Sequence, residues 1–162
     1  MRSTHQLIDQ RIKAGILLFW ALYFSIICVS NSTDALKTLG LLPPDFRFVS
    51  GNYNLVSKVV GIYDVTAGLA GLFFAGVILW EGIGAFLFWK ALIGTVRQPS
   101  LSQSATYLAL GVTLGLWAMF IVIDEVFLAY EYPGLSATFF SLLLSELGTL
   151  ILFRLIDQEQ RT

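Results

Sequence analysis

Two glutamates, Glu81 and Glu146, stand in stretches of this 162-residue chain that are otherwise almost wholly apolar. A carboxyl there can bind a proton or a cation, or it can serve as a neutral acid that hydrogen-bonds neighbouring side chains and fixes helix register. Glu81 lies nine residues before Lys90 and Glu146 lies eight before Arg154. At 1.5 Å per residue, each carboxyl is expected about 12 Å from the charged end of its helix, so the two share a depth. A charged residue at the centre of a membrane helix costs roughly 2.5–3.5 kcal/mol on insertion scales, which directs both side chains toward the bundle interior. Burial also favours the protonated form of any such acid.

A second acidic group, Asp64, Asp124, Glu125 and Glu131, is expected near the opposite helix ends, with Asp34 and Asp45 between the first two helices. Calcium-type sites need several oxygen ligands at defined positions. No such spacing occurs here, and solvated helix ends account for these residues without a metal. Asp124 and Glu125 end a 26-residue uncharged run, and one of them is expected to pair with Arg47 or Lys58 from the long connection.

The elements that must hold these acids follow from charge distribution. Ala14–Thr33, Val65–Trp80 and Gln98–Ile123 carry no charge, and Tyr132–Ser145 adds a fourth such run. A hydrocarbon layer of about 30 Å takes about 20 apolar residues per helix. The chain, 56% hydrophobic and 13% charged, therefore predicts an all-α bundle of four transmembrane helices in a single membrane domain. Their expected ranges are about 12–33, 63–90, 103–125 and 134–155, with an outer loop at about 34–62. The first apolar run is too long for the core of a cleaved signal and reads as a retained helix.

Seven basic residues, Arg2, Arg11, Lys13, Lys90, Arg97, Arg154 and Arg161, fall on one side, against Lys37, Arg47 and Lys58 on the other. The positive-inside rule then puts both termini in the cytoplasm. In the outer loop, Pro43-Pro44 predicts an extended stretch, and Asn31-Ser-Thr-Asp34 a cap or turn. Phe46, Phe48, Val49, Tyr53 and Leu55 are expected to lie on the membrane surface or to cover the mouth of the bundle.

Small residues mark candidate helix contacts. Ala67, Gly71 and Ala75 form a ridge at four-residue spacing, Gly84 and Ala85 share a face with Glu81, and Gly111 and Gly115 make a GxxxG pattern. Such residues let membrane helices approach closely. The two halves also align. Tyr63-Asp64, Gly68-Leu69, Phe73-Phe74, Glu81 and Lys90 run parallel to Tyr130-Glu131, Gly134-Leu135, Phe139-Phe140, Glu146 and Arg154. A duplicated hairpin and the chance similarity of apolar helices both account for that alignment.

Enzyme templates find no support. The single histidine, His5, sits in the amino-terminal segment, so no HExxH zinc site or Ser-His-Asp triad can be assembled. The single cysteine, Cys28, excludes an intrachain disulfide. No basic cluster suits nucleic acid. Expected partners are membrane lipids together with other membrane proteins or further copies of the chain. A cofactor stays unknown, because apolar grooves accept lipids or pigments without a motif.

Asn31-Ser-Thr-Asp34, Phe46-Arg-Phe-Val49, Trp80-Glu81 and Glu125-Val-Phe127 resemble the pattern of a bacterial family of predicted small integral membrane proteins, catalogued as a domain of unknown function. The chain departs from that pattern at Val126 and at Tyr132-Pro133-Gly134. The resemblance implies a four-helix bundle in a bacterial cytoplasmic membrane and carries no activity with it. Two functions then fit. The leading one is a non-catalytic accessory subunit, assembly factor or interaction partner of a larger membrane complex. The alternative is a small oligomeric transporter or ion-conducting module that uses Glu81 and Glu146.

Overall fold

The computed structural model describes residues 4–64, 66–97 and 103–159. Five α-helices follow in order: α1 Thr4–Thr38, α2 Asn52–Val60, α3 Ala67–Arg97, α4 Gln103–Val126 and α5 Pro133–Glu159. Single 3₁₀ turns at Gly61–Tyr63 and Ala129–Glu131 precede α3 and α5. No strand occurs among the described residues. Helices α1, α3, α4 and α5 are each long and apolar enough to cross a membrane. Large apolar side chains such as Phe19, Leu79, Phe86, Val122 and Leu144 point outward, the arrangement lipid favours. The chain reads as an integral membrane protein built on a four-helix bundle.

Helix α1 runs further than its apolar segment predicts at both ends. At 35 residues it is about 52 Å long, well beyond the hydrocarbon layer. Asn31–Asp34 are helical rather than a turn. Their neighbours do not break the helix because the hydroxyls of Ser30, Ser32 and Thr38 donate to carbonyls three or four residues back in the same helix. The stop comes at Gly40, whose φ of +72° suits glycine. Its N–H reaches Lys37 O at 3.0 Å, and Leu41 N–H reaches Leu36 O at 2.9 Å.

The long connection is an ordered cap rather than an extended strap. Pro43-Pro44 enters a turn closed by Phe46 N–H to Pro43 O at 3.0 Å, since proline's fixed φ suits the second turn position as well as extended chain. Lys37 Nζ donates to Phe46 O, Thr33 Oγ1 to Phe48 O, and Ser50 N–H to Ser30 O, which fasten the segment to the end of α1. Helix α2 then lies across the bundle mouth with Val59 and Val60 buried and Tyr53 edge-on to Phe74. Tyr63 joins the two connections at this end: its hydroxyl donates to Val126 O at 2.7 Å and its ring packs on Phe127.

Neighbours in the bundle are α1 on α3, α3 on α4 and α4 on α5, while α1 and α5 touch only sparsely. The core is aromatic. Phe24 stacks on Phe88 at 5.6 Å and packs on Trp117 at 5.6 Å, and Trp20 stacks on Phe88 at 6.2 Å. Gly84 makes the tightest approach. A Cβ there would meet Thr113 Cγ2 at 2.8 Å and Phe24 Cδ1 at 3.2 Å, so α1, α3 and α4 converge on it. A Cβ at Gly115 would lie 3.5 Å from the Trp80 ring.

The other small-residue contacts expected from the sequence are not made within the chain. Gly71 and Gly111 have nothing within 4 Å of a built Cβ, and Ala75 is exposed. The side chain of Ala67 lies outside the described residues. Four-residue spacing aligns residues along one helix, but aromatic packing on the opposite faces of α3 and α4 turns these positions outward.

Candidate functional site

Glu81, in the middle of α3, is 3% exposed. Facing it from α1 is Asn31, 2% exposed, whose Nδ2 donates to Oε1 at 2.7 Å and to Oε2 at 2.9 Å. The Asn31 carbonyl Oδ1 in turn accepts from Asn52 Nδ2 at 2.8 Å, and Asn52 is exposed at the start of α2. The polar string continues through the loop. Asn52 N–H donates to Ser50 Oγ, and Ser50 Oγ donates to Asp34 Oδ2 at 3.1 Å. Asp34 also accepts Tyr53 N–H at 2.8 Å and so caps α2 from α1, where an anion is favoured by the helix dipole. One buried carboxyl is thereby connected by side-chain amides to the loop surface.

Beside this string lies a cavity of about 860 Å³ bounded by the loop-end halves of α1, α3, α4 and α5, with α2 across it. Glu81, Asn31, Asp124, Tyr23, Trp80 and Trp117 contribute to its wall. Asp124 is 5% exposed and accepts from Ser136 Oγ at 2.8 Å. Glu125 points outward and accepts from the Tyr130 hydroxyl at 2.8 Å. The expected pairing of this acidic couple with Arg47 or Lys58 does not occur. Both cations are exposed, the loop is fastened to α1, and hydroxyls lie nearer to the acids. Asp64 is exposed too, in a left-handed turn at φ +53° closed by its N–H to Gly61 O, and takes no part in the cavity.

Glu146 is the second intramembrane acid and its setting is different. It is 0% exposed, and neither carboxyl oxygen has a hydrogen-bond partner. The Thr113 hydroxyl and the Trp117 indole face the carboxyl closely enough to interact with it, but neither forms a hydrogen bond of good geometry. Thr113 is committed to Ala109 O at 3.0 Å, and Trp117 Nε1 is itself unpartnered. Burying an unpaired polar group costs about 1–3 kcal/mol. Glu81 and Glu146 share no hydrogen bond. Tyr23 stands within electrostatic reach of both, and Trp117 touches the cavity on one side and Glu146 on the other.

The opposite end of the bundle is closed by a compact polar cluster. Lys13 pairs with Asp157, which also accepts from Gln103 Nε2 at 2.8 Å and from the Tyr107 hydroxyl at 2.6 Å. The Arg154 guanidinium covers the Tyr107 ring at 4.9 Å. Sequence reading did not single out Asn31, Asn52, Tyr23, Trp117 or Asp157 as site residues. The available signal was an asparagine inside an uncharged run, which membrane helices bury only against a partner.

The fold and site together define a membrane-embedded helical bundle with an acid-bearing chamber at one end and a polar clasp at the other. No family model, curated protein or solved structure matches the chain.

Proposed function

We propose that this protein is a non-catalytic integral membrane module of the transport type, which binds a proton or cation at Glu81 inside its bundle. The observation that carries this reading is the Glu81 carboxyl, buried beside a cavity yet linked through Asn31 and Asn52 to the loop surface. Intramembrane acids facing a cavity mark ion and substrate pathways. Arg11, Lys13, Lys90, Arg97 and Arg154 favour cytoplasmic termini, with the chamber toward the outside, and the resemblance carried by Trp80-Glu81 and Glu125-Val-Phe127 favours a bacterial inner membrane. Arg2 and Arg161, which strengthen that bias, lie outside the described residues.

The test is flux in reconstituted vesicles. Glu81→Gln is expected to abolish pH-dependent cation movement while the bundle still folds, and unchanged flux would sink the reading. Glu146, Asp124, Asp34, Tyr23, Tyr132 and Cys28 are further ionisable side chains near this region, so Glu146→Gln is measured alongside.

A second reading, an accessory subunit of a larger complex, is favoured by the bare surfaces over Gly71, Ala75 and Gly111. Gly71→Leu and Gly111→Leu should then weaken assembly with whatever co-purifies in mild detergent. Stoichiometric assembly that survives both substitutions would exclude those faces as contacts.

A further inference from the structure

We infer that the loop-end cavity receives a lipophilic organic cation, a protonated or quaternary amine carrying a bulky apolar body. This inference rests on the binding role of Glu81 proposed above and adds the chemistry of what is bound. Three features of the cavity converge on that class.

The first is size. At about 860 Å³ the space falls among small-molecule sites of roughly 300–1,000 Å³ and far exceeds what a proton or bare metal ion occupies. The second is the wall. It carries the rings of Tyr23, Phe74, Trp80, Trp117, Phe120 and Phe139, with aliphatic side chains between them. Aromatic faces attract cations and cover apolar groups at once. The third is charge. Glu81 and Asp124 both contribute to the lining, whereas no Lys, Arg or His does so among the described residues. An anionic or phosphate-bearing guest would meet carboxyls without a compensating cation.

A hard metal ion also fits poorly. Such ions take six or more oxygen ligands. Here the only carboxyls in the lining are those of Glu81 and Asp124 among the described residues, and most of the remaining wall is carbon. An organic cation asks less: a carboxylate at a few ångströms, rings around it and apolar surface beyond. Helix α2 provides part of that surface through Leu55, Val56 and Val59, and it stands over the cavity at the end that Asn52 opens to solvent.

Two probes of the same shape and opposite charge isolate the decisive property. Purified protein in nanodiscs of zwitterionic lipid is titrated with tetraphenylphosphonium and, separately, with tetraphenylborate, each with the partition into empty nanodiscs of the same lipid subtracted. The expected result is a preference for the phosphonium of at least about tenfold, equal to about 1.4 kcal/mol. That preference should vanish in Glu81→Gln and largely survive in Glu81→Asp. Val56→Trp, which narrows the cavity from α2 without touching the carboxyl, should weaken phosphonium binding by a similar factor.

Equal affinity for the two probes, or a preference that survives Glu81→Gln, would overturn the inference. Loss of pH-dependent flux in Glu81→Gln without any phosphonium preference would overturn the ligand class and leave the transport reading standing. A Glu81-dependent phosphonium preference without flux would support the ligand class and remove transport as the purpose of the site.

Discussion

Glu81 and Glu146 are two carboxyls on parallel helices, each about two turns from a basic residue, and the protein treats them in opposite ways. Glu81 has both oxygens held by Asn31 and a polar route to the loop surface. Glu146 lies wholly inside the aromatic core, with the Thr113 hydroxyl and the Trp117 indole beside it but no well-formed hydrogen bond to either oxygen. Depth in the membrane therefore does not determine an acid's circumstances. The facing helix does: α1 offers an amide to Glu81, while α4 offers Glu146 a threonine already bonded to its own backbone.

Apolar replacement should split the pair by sign. Glu81→Met is expected to lower stability by about 1–3 kcal/mol, because Asn31 is left buried with its donor unpaired. Glu146→Met is expected to raise stability by about 1–2 kcal/mol, because an unsatisfied buried carboxyl is removed. Thermal unfolding of the detergent-solubilised protein reads both. Shifts in the same direction would break the contrast.

Gly84 sharpens the comparison, since it lies one turn from Glu81 and abuts Thr113 of the Glu146 surroundings. Gly84→Ala forces the 2.8 Å approach to Thr113 Cγ2 and should cost about 1–3 kcal/mol of overpacking. Gly111→Ala, with open space above it, should instead gain about 0.5–1 kcal/mol of helix propensity. Equal effects at the two glycines would mean that the wall between the acids is not rigid.

The smallest expected effect lies outside the spans. Acceptance of the Tyr130 hydroxyl proton by Glu125 lifts that phenol above its ordinary 10.0. A raised value means the bond's contribution is complete below pH 10 and fades as pH climbs through the raised value. Ultraviolet titration of the wild type and Glu125→Gln should differ by one tyrosine, late-ionising in the first and returned toward 10 in the second. An unchanged titration in that variant would show that the exposed bond is not kept in solution.

Long uncharged runs were enough to read four membrane helices and the interior placement of Glu81 and Glu146, because the cost of burying charge in lipid acts locally on sequence. What sequence could not supply was pairing across helices. Asn31 and Glu81 are 50 positions apart, and nothing in either segment ties one to the other. Asn31-Ser-Thr-Asp34 suggested a turn because these residue types favour turns. Inside a long apolar helix the hydroxyls of Ser32 and Thr33 bond back to the same helix and the turn never forms. The small residues were legible as candidates but not by face. Spacing alone does not distinguish Gly84, wedged among three helices, from Gly71 and Gly111, which face open space.

The clasp between Lys13 and Asp157 joins residues 144 positions apart, and the Trp20 indole donating to Thr149 joins residues 129 apart. Since α1 and α5 otherwise touch little, these two contacts are much of what closes the ring. During synthesis the first helix must wait in the bilayer with Lys13 lacking its acid until the last helix has emerged. Closure between the first and last helices cannot precede the emergence of the last one, and a chain truncated before Thr149 would lack both contacts.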